Sequence, residues 1–410
     1  MLIIKEMTQD TSKKTILLVW GYERRTWIHP FEVLKDHFHF VYLRYIHASE
    51  EEVCFTQEEK IYWSQFKNAK EIIEKIRPEK VVFMSIYNGL DIALNSVCKK
   101  YKIPTYILQH GLFTTYEDYR AREIYYKKAG VKIPENHALT ASKEQFSSLA
   151  FIKNSLSIKD MFSIWKLPLY YYLQKKESSL YASRNARFSQ RTPDYYICYS
   201  KRNARIHIQL DNAGDEKFKY IGNPEFDDYF KSTYQATSIS NYYLHIDQAF
   251  AGNRFGENIV SKEQMIDFLE KLNRFCVSKT AKLVVKLHPE NYKSEWLPQH
   301  ENIVYIKETN EMIALIKNAS GCFGFFSTLL LPAVYFNTLI LFKMSESDFQ
   351  KDIQERGLAL LLNFHDFDEK AIDFNQVIKN REALNKFEEE YFYKTDGDSL
   401  GRLRVILNSN

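Results

Sequence analysis

Residues 80–111, KVVFMSIYNGLDIALNSVCKKYKIPTYILQHG, decide the class of fold. Lys80–Ile86 is a short apolar run of the kind buried on both faces of a parallel sheet, and Gly89–Lys100 has helical spacing. After Pro104, Thr105–Leu108 is apolar again. Strand, helix and strand in succession make a βαβ unit, so the polar residues that follow, Gln109-His110-Gly111, form a strand-end loop.

The same rhythm extends in both directions. Upstream lie Thr15–Tyr22 (TILLVWGY), Phe38–Arg44 and a helix at Ala69–Ile76 closed by Arg77-Pro78. From about Asn136 to Thr192 helical periodicity replaces it, in a basic and aromatic stretch that includes FSIWKLPLYYYLQKKESSLYASRNARFSQR. Alternation resumes with strands at Tyr195–Tyr199, Lys219–Ile221, Tyr242–Ile246, Ala281–Leu287, Ile303–Ile306, Gly321–Phe325 and Leu339–Phe342, and with helices at about 262–277 and 310–318. The expected fold is α/β, with two Rossmann-like, doubly wound parallel-sheet domains and a helical connector. The boundaries read as 1–135, connector 136–193, second domain 194–385 and a terminal helix 386–410 that crosses back to the first domain.

Composition agrees with two domains. A chain of 410 residues exceeds what one core fills. Five widely spaced cysteines, without a CxxC pair, argue against a disulfide framework and for a reducing cytosol. A net charge of +4 is too small for a general nucleic-acid binder. No run of about 18 apolar residues occurs, so a cytoplasmic protein is expected, soluble or peripheral at the inner face of the cytoplasmic membrane. The 28 Tyr and 29 Phe are unusually many, and the connector concentrates part of them. There Trp165, Tyr170, Tyr171 and Tyr172 alternate with Lys166, Lys175, Lys176, Arg184, Arg187 and Arg191, a composition suited to an anionic membrane or glycan. A helical hairpin with solvated charges is the commoner use of such a segment.

Ligands of open parallel sheets bind beyond the carboxyl ends of strands, which selects the loops that carry chemistry. Lys286 and His288 share a face at the end of AKLVVKL, and Pro289 stops the ladder; a cation and an imidazole there suit a phosphate. Ser327 and Thr328 follow GCFGFF and precede an apolar helix, where hydroxyls and free N–H groups hold anions or simply cap. His110, at a turn that Gly111 permits, is placed for general-base work or for a buried structural role. Gly222-Asn223-Pro224 and the loop of Asp247 and Gln248 shape a rim. Asp366-Phe367-Asp368 imitates a metal-binding DxD but sits where caps occur, and no GxGxxG, P-loop, GxSxG or HExxH is present.

In this order the loops resemble those of GT-B glycosyltransferases, whose two domains face a cleft. More narrowly, they are similar to the branch of bacterial sialyltransferases, polysialyltransferases, CDP-glycerol glycerophosphotransferases and surface-carbohydrate biosynthesis proteins. The resemblance covers about 15–125 and 194–407. It implies that His288-Pro289 and Ser327-Thr328 hold nucleotide phosphates, that Gln109-His110-Gly111 is a variant of a catalytic WHG motif, and that Lys394–Arg402 is the terminal DG…S…R segment. The acidic D/E-D/E-G base of the sialyltransferases is absent.

The expected activity is metal-independent transfer of a sugar from a nucleotide-sugar donor, CMP-linked in preference to UDP-linked, to a hydroxyl of a cell-surface polysaccharide or glycolipid. His110 is the expected catalytic base; Asn223, Gln248, Lys286, His288, Glu290, Ser327 and Thr328 bind the donor; Gly111, Gly222 and Pro289 shape loops. No metal and no cofactor beyond the nucleotide-sugar cosubstrate are expected. The alternatives are a CDP-glycerol or ribitol-type polyol-phosphate transferase, a nucleotide-sugar 2-epimerase and an inactive sugar-binding module.

Overall fold

The computed structural model describes residues 13–21, 25–44, 58–111, 115–117, 119–120, 123–124, 148–157, 164–231, 237–251, 260–344 and 347–409. The expected Cys54 and parts of the stretch 136–192 lie outside them. Two units result: 1–225 with 398–410, and 226–397.

The first unit holds a seven-stranded parallel sheet. Its strands are β1 (Lys14–Val19), β2 (Phe38–Arg44), β3 (Glu59–Tyr62), β4 (Lys80–Phe83), β5 (Thr105–Leu108), β6 (Tyr195–Cys198) and β7 (Phe218–Tyr220), in the order β3-β2-β1-β4-β5-β6-β7. Alternation along the strands sends Leu17, Val81 and Ile107 to one core and Ile16, Val82 and Leu108 to the other. Both faces are covered, which is why these strands read as continuous apolar runs. Helix Gly89–Lys100 starts where the Asn88 side chain accepts the N–H groups of Leu90 and Asp91, both at 3.0 Å, a cap worth about 1 kcal/mol.

The boundaries 136–193 and 194–385 need correction. β6 pairs with β5, Leu108 opposite Ile197, so 194–221 completes the first sheet instead of starting the second. The helical stretch before it is consequently a crossover between neighbouring strands. Its helices Ser148–Ser155, Leu167–Lys176 and Ser179–Asn185 cover one face of the sheet, with Phe151, Tyr170 and Ala182 in the core. The Tyr170 hydroxyl donates to the carbonyl of Tyr87 at 3.0 Å. Arg191 is also inside, ion-paired with Asp211.

The opposite face is covered by helix Arg25–Leu34 and by the terminal helix Ser399–Asn408, through Leu403 and Leu407. Lys14 donates to the carbonyl of Asn408 at 2.8 Å and Lys80 to those of Ile406 and Ser409, which places cations at the negative end of that helix.

The second unit has six parallel strands: β8 (Tyr242–Ile246), β9 (Lys282–Lys286), β10 (Ile303–Ile306), β11 (Cys322–Gly324), β12 (Leu339–Lys343) and β13 (Ala359–Asn363), in the order β10-β9-β8-β11-β12-β13. The largest gathering of phenylalanines is here and not in the crossover. Phe268, on helix Lys262–Ser278, has its ring centroid 4.7 Å from Phe342, 5.3 Å from Phe364 and 5.5 Å from Phe325. Much of the aromatic excess among the described residues is thus core. Cys98, Cys198, Cys276 and Cys322 are buried thiols, and burial raises the pKa of each. No helix among the described residues is long and apolar enough to cross a membrane.

Candidate functional site

Both sheets reverse direction of winding once, between β1 and β4 and between β8 and β11, and ligands bind at such switch points beyond the carboxyl ends. In the second unit the loops after β8 and β11 flank the switch, and they are tied together. The side-chain oxygen of Gln248 accepts the N–H of Phe326 at 2.8 Å, immediately before Ser327. Gln350, buried on helix Asp348–Glu355, donates to the carbonyls of Phe325 and Phe342 at 2.8 and 2.9 Å and holds the same loop from beneath.

Asp247 organises the neighbouring loop after β9. Its Oδ2 accepts the His288 N–H at 3.0 Å and the Asn291 side-chain amide at 2.8 Å. His288 caps the turn Pro289–Asn291, its Nδ1 accepting from the Glu290 N–H at 3.3 Å. An Nδ1 that accepts leaves the ring proton on Nε2, so the neutral imidazole presents an N–H donor. Pro289, at the first position of that turn, needs no N–H there.

Lys286 differs from expectation. Its ammonium donates to the carbonyls of Leu287 and Lys307, each at 2.8 Å, and so braces the loop. Burial lowers its pKa, against the opposing charges of Asp247 and Glu308. Ser327 also differs: the helix Leu330–Phe336 is capped at Leu329, and the carbonyls of Ser327 and Thr328 accept from Leu330 and Leu331 in the turn before it. Ser327 is half-buried and Thr328 exposed, and neither hydroxyl caps the helix.

In the first unit, His110 lines a cleft with Trp20, Trp27, Gln109, Tyr199 and Pro224, at the carboxyl ends of β1, β5, β6 and β7. The rings of Trp20 and Trp27 stand nearly perpendicular to the imidazole, each with its centroid 5.9 Å away. Gln109 fixes the bend: its side-chain oxygen accepts the Tyr199 N–H at 2.7 Å and its amide donates to the Gly111 carbonyl. Gly111 itself has no positive φ, and a Cβ there would meet open space, so the turn does not require glycine. Gly222 does, at φ 85°. Asn223 belongs to the first unit, is buried and accepts the Glu225 N–H at 3.0 Å, which shapes the rim of this first-unit cleft. Arg402 of the terminal helix donates to the Ile221 carbonyl at 2.7 Å, one residue before that bend.

A family model for alpha-2,8-polysialyltransferases matches residues 50–345, well over half the chain. The chain belongs to this family. Two solved structures share its fold: the glycotransferase of kitacinnamycin, at 10% identity, covering 96% of this chain and 97% of its own with a TM-score of 0.51, and CalG4, the calicheamicin glycosyltransferase, at 13% identity, with the same coverage and TM-score. No curated protein matches the chain in sequence. The chain is a glycosyltransferase of the GT-B fold.

In this glycosyltransferase Asp366-Phe367-Asp368 is structural. Asp368 caps the turn Glu369–Ala371, Asp366 accepts from Asn363 at 2.9 Å, and Phe367 is core. Asp247, Asn291 and Gln350 are the polar residues that sequence reasoning did not select as donor-loop anchors. Only Asp247 carried a signal, its position directly after a strand.

Asp247→Ala is expected to leave the His288 N–H and the Asn291 amide unpaired, at a cost of about 2–4 kcal/mol of second-unit stability. The donor KM rises at least about tenfold, while Asp247→Asn, which keeps one acceptor, loses less than half as much. Calorimetry and initial rates of the two variants check this.

Proposed function

We propose that this glycosyltransferase moves a sialic acid, or a related acidic sugar, from a CMP-linked donor to a hydroxyl of a glycan acceptor at the cell surface, without a bound metal. The observation that carries the donor class is the family match over residues 50–345. The loop geometry supports a division of tasks between the units. His288 Nε2–H and the Ser327 and Thr328 hydroxyls donate to the departing phosphate, and Gln248 and Glu290 meet the nucleoside. Lys286 and Asp247 position those loops.

In the displacement, the bond from the anomeric carbon to the phosphate oxygen breaks and its electron pair leaves with CMP. The acceptor oxygen bonds the same carbon, and its proton passes to His110. Asn223 and Gly222 shape the acceptor side.

His110 in place of an acidic residue favours one second reading, transfer of a polyol phosphate from a CDP-linked donor. One experiment separates the two. Purified enzyme is offered CMP-sialic acid, CDP-glycerol or a UDP-sugar with an oligosialic acceptor or a membrane glycolipid extract, and products are weighed by mass spectrometry. The expected product is the acceptor extended by one sialic acid, with CMP released, at a rate indifferent to EDTA. Turnover of CDP-glycerol alone would replace the donor assignment.

A further inference from the structure

We infer that helix Leu167–Lys176 of the crossover is a docking surface for an anionic phospholipid bilayer. At about 100° per residue, Trp165, Leu169, Tyr172 and Lys176 fall on one stripe roughly 60° wide. Trp165 lies in the turn that enters the helix and is 70% exposed; Leu169 is 45% and Tyr172 60% exposed. The opposite face is committed to the core, with Tyr170 buried and Leu167 and Leu173 packed beside it. Gln174 bonds the Tyr87 carbonyl at 3.3 Å. Lys175 and Lys166 flank the apolar stripe, one on each side. Lys166 sits 5.3 Å from the Trp165 ring centroid, and Lys176 5.8 Å from that of Tyr172.

This arrangement matches a lipid surface in both chemistry and shape. Apolar side chains project outward between lysines whose long stems let the ammonium groups reach headgroup phosphates. A polyanionic glycan would be met better by arginine forks, yet Arg184, Arg187 and Arg191 of the crossover are turned to the protein. Arg184 pairs with Glu117 at 3.1 Å, Arg187 donates to the carbonyls of Gln209 and Leu210, and Arg191 is buried against Asp211.

Sedimentation of the full chain with vesicles of phosphatidylcholine alone, or mixed with phosphatidylglycerol, tests the surface. Wild type is expected to pellet with the anionic vesicles, less so at high salt. Trp165→Ala/Leu169→Ala/Tyr172→Ala, which leaves the charge unchanged, lowers the partition constant about tenfold or more. Lys166→Glu/Lys175→Glu/Lys176→Glu abolishes the preference for anionic lipid. Turnover on a soluble acceptor stays unchanged in both variants, so this result is independent of the donor assignment. The proposal is overturned if wild type does not pellet or if the apolar variant pellets as well as wild type. Retention on an immobilised polyanionic glycan that only the lysine changes abolish would reassign the surface to glycan. A dimer that the apolar changes dissociate, without an effect on vesicles, would reassign it to a second copy of the chain.

Discussion

His110→Ala is expected to reduce turnover at saturating donor and acceptor by about 10²–10⁴-fold, the usual contribution of a positioned general base. The imidazole is held rather than merely present. Gln109 locks the bend through Tyr199 and Gly111, and the two indole rings against it limit ring rotation. His110→Gln keeps volume and hydrogen bonding but supplies no base, so it is expected to fall as far as alanine. Added imidazole should restore part of the rate to His110→Ala, whose cleft gains the space, and none to wild type. A purely structural histidine gives the opposite pattern: lower stability, unchanged turnover in the folded fraction and no rescue. Near-UV circular dichroism on the same samples separates folding from chemistry.

The layout of both sheets was legible because parallel strands buried on two faces leave short apolar runs, as at Phe38–Arg44, Thr105–Leu108 and Tyr242–Ile246, which the structure reproduces residue for residue. Two of the four edge strands, β3 and β13, were not legible. β3 is only Glu-Lys-Ile-Tyr, with half its residues charged, and β13 lies in an apolar stretch that fits a helix equally well. Sheet membership of β6 was missed for another reason: chain order says nothing about which strand pairs with which, and a crossover of nearly ninety residues resembles a linker. Among candidate residues, strand-end position selected His110 in the first unit and His288 and Ser327 in the second. It could not show that Lys286 is already bonded to two carbonyls, or that Gln350 arrives from a helix remote in sequence. Those are facts of packing, and no local pattern encodes them.

Acid is expected to destabilise both units well above the pH at which carboxylates titrate. His207, in the first unit, lies against the Tyr196 ring at 4.7 Å, and burial, aided by the charges of Arg191 and His110, pushes its pKa down to about 3. His245, in the second unit, lies between Phe268 and Phe325, and burial pushes its pKa down to about 4, against the pull of Asp247. In an unfolded chain both titrate near pH 6.5. Below that value the unfolded state binds protons that the folded state refuses, so stability falls as pH falls. The loss for each histidine levels off only below its folded pKa. The slope is roughly 1.4 kcal/mol per pH unit per histidine, or about 2 kcal/mol for each unit by about pH 5. Against a total of about 5–15 kcal/mol, that is a large fraction. Urea unfolding at about pH 7.5 and pH 5 measures it, with His245→Phe as the comparison. Phenylalanine fills the same aromatic site without a proton to bind, so the second unit of the variant should lose about 2 kcal/mol less than wild type between the two pH values. Equal losses in the two proteins would mean that His245 is not held neutral by its burial, and that other groups drive the acid response.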